Sequence, residues 1–286
     1  MKSLKKTIFA SAVIIGANTL LFQGFTQAVT VSEFKQTHVI PTKYANAAAG
    51  PFQAAPNSLP DGYKKANYTV GAIDLENYRN QTPTSKDLTK EEAAEIGAQA
   101  LWEVFDLNLE GQAIEMGYQQ ANEGLPRSRW YADVLINGER NYYFSVDSVT
   151  GELFTIGRSR TLDEKVSVAF DSALAKNPQE YVELAKKLAE KYNVVHSAVK
   201  SVEYNGQGYS NNDPTISMDI TGENGEMALI TFSRYDKALL GISYNTEYKS
   251  ALEFNQELIK QVQDKIEELG KSALPENEAP TLRVLK

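Results

Sequence analysis

The chain has 286 residues, no cysteine, two histidines and a formal charge of −8. Without thiols there is no disulfide framework, no CxxC redox pair, no thiolate zinc site and no cysteine nucleophile. His38 and His196 are too few for a histidine cluster. The 37 acidic against 29 basic residues argue against a nucleic-acid groove, which needs a basic face.

The amino terminus has three parts. Lys2, Lys5 and Lys6 precede the uncharged run Thr7–Phe22, and Thr26-Gln27-Ala28 supplies small residues where a signal peptidase reads them. This is the layout of a secretory signal, with residues 1–28 removed. The competing reading is a retained anchor over residues 7–22. That run is shorter than the roughly 20 apolar residues a spanning helix needs, and it contains Gly16 and Asn18. Either reading places the body outside the cytoplasm, secreted or held at the membrane by the retained segment. Removing residues 1–28 leaves 26 basic and 37 acidic residues, a charge of −11. A partner with a basic surface is the electrostatic expectation.

Residues 29–86 show no sustained periodicity and are rich in Ala, Asn, Pro, Thr and Gly. The composition predicts a linker or loosely packed arm, with Tyr63, Tyr68, Val70, Ile73, Leu75 and Tyr78 available to dock. A first unit is expected over 87–160. Thr89 and Glu92 form a capping box, and Ala93, Ile96, Gly97, Ala100, Leu101, Val104 and Phe105 make one helical stripe. Ile114, Met116 and Tyr118 alternate as a strand, followed by a loop, Gln120–Ser128. Trp130, Ala132, Val134 and Ile136 alternate in the next strand, then Tyr142, Phe144 and Val146 after Asn137-Gly138. A two-residue turn there would put Phe144 on the wrong face. An odd-length loop with Gly138 left-handed in a bulge is therefore predicted, pairing Ala132 with Tyr142 and Trp130 with Phe144. The turn Asp147–Glu152 leads to a short strand, Leu153–Ile156.

The same order is expected again over 161–247, some 85–90 residues on. Leu162–Ala175 reads as a short helix and Gln179–Tyr192 as a longer one. A strand over Val195–Tyr204, a polar loop over Asn205–Pro214, and strands around Ile216–Ile220, Ala228–Phe232 and Leu239–Ile242 follow. A helix over 248–270 closes the chain before a mobile tail, 271–286. Its residues Tyr248, Leu252, Asn255, Ile259, Val262, Ile266 and Leu269 are spaced as in a short coiled-coil seam. Packing across the sheet and self-association both fit that spacing, and Gly270 is placed as a C-cap. The predicted class is α+β: two tandem units of one helix on a small antiparallel sheet, plus a long C-terminal helix.

Leu88–Gly157 resembles the PepSY family of small exported domains found in peptidase propeptides. The resemblance rests on LTKEEAAEIGAQAL, on the strand Trp130–Ile136 and on the hairpin YYFSVDSVTGELFTI. It is degenerate over about 177–243, where Ser233 stands for Asp147 and Lys237 for Gly151. The resemblance implies a non-catalytic binding or regulatory domain whose open sheet engages a protein.

No HExxH, GxSxG, GxxxxGK[ST] or strand–GxGxxG–helix pattern occurs. No catalytic, cofactor or metal residue is therefore assigned, and no cofactor is expected. Asn205–Asp213 is oxygen-rich but lacks the alternating carboxylates and closing Glu of a calcium loop. Asp147, Gly138 and Gly151 are read as turn residues: an Asp that bonds the backbone two residues on, and glycines for positive φ. Among 15 tyrosines, Tyr131, Tyr143 and Tyr209 lie off the core parity and are the candidates for an exposed partner-binding patch. The expected function is binding or regulation of another extracytoplasmic protein, a peptidase among the options. A self-associating envelope protein and a carboxylate-dependent hydrolase are the alternatives.

Overall fold

A computed structural model describes residues 59–122 and 125–271 of the protein, with residues 266–271 described in backbone only. The signal-like segment, the arm up to residue 58 and the tail beyond Lys271 lie outside the described residues. No helix among the described residues is long and apolar enough to cross a membrane.

From Leu59 onward, the stretch expected as a linker is bound to the body. Strand β1 (Thr69–Ala72) runs parallel to β2 (Ala113–Gln119), and the one-turn helix α1 (Glu76–Arg79) follows it. Tyr63 and Tyr68 both donate to the Glu95 carboxylate at 2.7 Å. These tyrosines were legible as docking residues. The strand was not, because Thr69–Ala72 is an edge with only Val70 half-buried.

Helix α2 (Lys90–Phe105) begins at the expected capping box: the Glu92 amide donates to Thr89 Oγ1 at 3.2 Å and the Thr89 amide to Glu92 Oε2 at 2.8 Å. Such a cap contributes roughly 1 kcal/mol. The helix ends where Asp106 turns left-handed, φ 52°. Its buried residues are Ala93, Ala94, Gly97, Ala98 and Leu101. Small residues on that face let the helix lie close to β2, β3 (Arg129–Ile136), β4 (Glu139–Asp147) and β5 (Leu153–Arg158). Phe144 fills the space against Gly97, where an added Cβ would come 2.1 Å from its ring.

The β3–β4 hairpin corrects the expected register. Asn137 and Gly138 both have positive φ, 54° and 86°, and Ile136 faces Glu139, so the turn has two residues. The compensating bulge lies within the strand: the register shifts after Val134 and leaves Asn141 without a partner. Ala132 then pairs with Phe144 and Trp130 with Val146. One extra residue in a strand reverses parity as well as one in the loop does. Asn-Gly supplied the turn that its positive-φ preference favours.

The element order recurs after a connector carrying the short helix α3 (Ser172–Lys176), far shorter than the helix expected over 162–175. Helix α4 (Gln179–Lys191) packs Tyr181, Ala185 and Ala189 against β6 (Val199–Ser210), β7 (Asp213–Gly222) and β8 (Met227–Ser233). The expected loop Asn205–Pro214 is instead a continuation of β6, a turn at Asn211-Asn212 with Asn211 at φ 54°, and the start of β7. Polar composition hid the strand because its outer edge faces solvent.

The class is α+β as expected, and the strands of both stretches form one sheet of nine in the order β1-β2-β3-β4-β5-β9-β8-β7-β6. The join is β5 with β9 (Leu239–Ser243), antiparallel, Ile156 opposite Ile242 and Gly157 opposite Gly241. Helices α2 and α4 share one face and one continuous core containing Phe144, Ile156, Ile216, Ile230, Phe232 and Ile242.

Helix α5 (Asn245–Lys271) starts on the opposite face. Glu247 pairs with Arg129 at 2.7 Å, Thr246 donates to Glu152 at 2.8 Å, and the buried Tyr248 donates to Asp219. Beyond Ile259 its described side chains are exposed. Gly270 lies within the helix rather than capping it.

Gly97→Ala should lower stability by about 1–3 kcal/mol through overpacking. The denaturation midpoint should recover in part when Phe144→Leu is added, since the two residues share one space.

Candidate functional site

The three aromatic residues chosen from strand parity do not form one patch. Tyr131 and Tyr143 are half-buried on the face opposite α2, and neither is exposed. Tyr131 stacks on Tyr78, with ring centroids 6.5 Å apart, and donates to Asp133 at 3.0 Å. Tyr78 lies over Gly117, where a Cβ would collide with its ring. Tyr143 crosses the join, its hydroxyl beside Gly157 and Gly241. Burial pushes the Tyr143 phenol up to about 12. The expected exposed patch is corrected for both residues: the off-core face carries α1, α5 and its own aromatic layer. Tyr209, 62% exposed, lies near the far edge, opposite Pro214 in the register.

The turn residues act as turn residues. Asp147 is buried; its Oδ1 accepts from the Val149 and Thr150 amides at 2.8 and 2.7 Å, and its Oδ2 pairs with Arg127 at 2.6 Å. Gly151 has φ 74° and Gly138 86°. In the second stretch, Ser233 Oγ accepts from the Tyr235 amide at 3.0 Å and donates to Asp213 at 2.5 Å. Lys237 takes the left-handed position, φ 61°.

Of the oxygen-rich stretch Asn205–Asp213, the side chains of Asn205, Gln207, Asn211, Asn212 and Asp213 bond to the rest of the protein. Asn205 donates to Asp219 and Tyr248. Asp213 receives Arg160 Nε at 2.6 Å, and Arg160 also grips Asp236 through Nη1 and Nη2 at 2.8 and 2.7 Å. Hydrogen bonding to Arg160 holds the Asp236 carboxyl down to about 2. No group of three or more His, Asp or Glu residues able to hold a metal occurs among the described residues. His196, at φ 48°, faces Glu226 across 2.8 Å at the surface.

The feature best suited to recognition is an open groove of about 620 Å³ between the connector and the ends of β7 and β8. Its walls include Phe170, Leu174, Pro214, Arg234 and Tyr235. Phe170 is 61% and Tyr235 47% exposed, and Tyr209 stands beside the groove as the cross-strand neighbour of Pro214. Arg234 makes no ion pair among the described residues; its Nη2 donates to the Ala169 carbonyl at 3.0 Å and its buried Nε has no hydrogen-bond partner. Exposed aromatic rings around an arginine are the side chains that carry binding energy at interfaces. Only Tyr209 was accessible to sequence reasoning. Phe170 and Tyr235 sit in non-strand segments, so no periodicity marked them.

No protein-family model matches the chain, and no curated protein matches it. A search of solved structures finds the Bacillus megaterium YpeB C-terminal domain, at 11% sequence identity and a TM-score of 0.35, over 57% of this chain and 65% of that one.

The Arg160–Asp236 pair has a pH signature. A carboxyl whose pKa is lowered on folding contributes stability above its unfolded value, near 3.8, and loses it as pH falls toward about 2. Asp236→Asn should therefore flatten the fall of unfolding free energy between pH 4 and pH 2, read from denaturant titrations, and leave the slope above pH 5 unchanged.

Proposed function

We propose that the protein is an exported, non-catalytic binding or regulatory protein that engages another extracytoplasmic protein through the groove beside Phe170. The observation that carries this reading is the groove itself, with Phe170 and Tyr235 exposed in a lining that includes Arg234, and the exposed Tyr209 paired with Pro214 of that lining. Burying the part of each ring that is still exposed contributes about 1–2 kcal/mol, a gain available only on association. The signal-like amino terminus and the resemblance of Leu88–Gly157 to propeptide-type domains support the location and the role. The acidic body, −11 without residues 1–28, favours a partner with a basic surface.

Capture from a cell-surface extract with the chain from residue 29 onward should recover a specific protein. Phe170→Ser combined with Tyr235→Ser should reduce that recovery at least tenfold at unchanged unfolding midpoint. Equal recovery by the double variant would overturn the groove as the binding surface.

A further inference from the structure

The groove's outer wall is an unusual piece of chain. From Asp163 to Phe170 it has no helix or strand and buries no residue, and Val168 and Phe170 point their apolar surface to solvent. A segment that buries nothing of its own must be held by other means.

It is held largely through its main chain. Asn212 Oδ1 accepts from the Leu162 amide, and Asn212 Nδ2 donates to the Leu162 carbonyl, both at 2.6 Å. Gln207 repeats the arrangement at Asp171: Oε1 accepts from the amide and Nε2 donates to the carbonyl, both at 2.9 Å. Between these anchors, Asn212 Nδ2 reaches the Glu164 carbonyl at 3.3 Å and Arg234 the Ala169 carbonyl at 3.0 Å. Asn211 donates to the Arg160 carbonyl at 3.0 Å. Side-chain contacts are few: Arg160 with Asp213 and Asp236, and Tyr235 with Glu164 at 3.3 Å.

A carboxamide is a peptide group on a side chain, so a paired donor and acceptor bind any backbone residue whose N–H and C=O point the same way. Two such groups, at the β6–β7 turn and on β6, make a clamp for extended chain with little regard to its side chains. Each such bond replaces one made to water and contributes little net, so one chain segment can replace another. The space beneath the connector is left open, so the connector fills the clamp without filling the groove.

We propose that the connector is an intramolecular strap lying in a cradle for an extended polypeptide segment of the partner, read through its main chain by Asn212 and Gln207. The incoming segment takes the strap's hydrogen bonds and places an apolar side chain in the space beside Phe170, Pro214 and Tyr235. The inference rests on the groove being the partner-binding surface and adds how the partner is read and what competes with it.

The test uses a fluorescent peptide with this chain's own residues Arg160–Lys176 as probe. The receptor is the chain from residue 29, either intact or with Thr161–Ala169 replaced by a longer, flexible Gly/Ser linker that keeps Arg160 on Asp213 and Phe170 in the groove wall but fills the Asn212 half of the clamp poorly. Unchanged exchange protection of the β7 and β8 amides shows that each receptor is folded. The linker chain should bind the peptide saturably, the intact chain at least tenfold more weakly. Gln207→Leu with Asn212→Leu in the linker chain should weaken binding at least tenfold. The linker chain should also capture more of the partner than the intact chain, and free peptide should strip it off. A folded linker chain that binds no peptide, or binds it equally well after Gln207→Leu and Asn212→Leu, overturns the cradle. Equal peptide binding by intact and linker chains overturns the strap. Peptide binding as expected, with partner capture indifferent to Phe170→Ser and Tyr235→Ser, overturns the binding reading while leaving the clamp in place.

Discussion

Everything in the sheet depends on the pairing of β5 with β9, three residue pairs long. Its register sets Ile156 against Ile242, so the apolar faces of the five-stranded run β1–β5 and the four-stranded run β6–β9 point the same way. A slip of one residue would turn one run over and expose its core. Because the register holds, α2 and α4 lie over one continuous core, and Tyr192 of the second run donates to the Val104 carbonyl at the end of α2. On the other face the join is narrow. Gly157 leaves no room for a Cβ beside the Tyr143 hydroxyl and the Leu240 carbonyl, and the Tyr143 ring occupies the place that two side chains would otherwise contest.

The same pairing dictates the connector. With β9 beside β5, the chain leaving β5 stands at the middle of the sheet, while β6 stands at its edge. At about 4.8 Å per strand, the chain must cross the ends of β9, β8 and β7 before α4 and β6 can form. A crossing at strand ends passes over turns rather than over a hydrophobic face. Its attachments are therefore polar: the carboxamides of Asn211, Asn212 and Gln207 and the guanidinium of Arg234. An exposed aromatic such as Phe170 beside an open groove follows from that route.

The sequence revealed those features whose cause is local. Thr89 and Glu92 marked the start of α2, and alternation marked Trp130–Val134, Ile216–Ile220 and Ala228–Phe232. Asp147 with Gly151 marked a turn. What stayed hidden depended on distant partners. The bulge at Asn141 is set by the demand that Phe144 face Gly97, a contact far apart in sequence. The continuation of β6 through Gly206–Ser210 was masked by its glycines and polar residues, among which Gln207 holds the connector. Tyr131 and Tyr143 had the right parity for exposure, but parity only names a face. Tyr78 and the β5–β9 join decide that this face is covered there. Phe170, Tyr235 and Arg234 are made neighbours by the crossing of the connector, which no local pattern encodes.

The two turns that end β4 and β8 differ in what holds them, and the difference ties the connector to the body. In the first, Asp147 caps the turn and Arg127 supplies the opposing charge from just before β3. In the second, Ser233 caps the turn and the residue across from it at the start of β7 is Asp213, so the acid and the polar cap stand on the opposite sides from those of the first turn. The two turns have the same shape, with Lys237 in the left-handed position that Gly151 takes in the first. The charge balance differs: Asp213 is buried, Ser233 satisfies one of its oxygens, and no arginine on the strand meets the other. A buried carboxylate left unpaired is strongly destabilising. Arg160 of the connector fills that need at 2.6 Å and holds Asp236 with its remaining donors. The second turn thus places a buried carboxylate whose cation comes from the crossing chain. That ion pair fixes the strap at its first residues, while the rest of its length is held through main-chain bonds that another peptide can make.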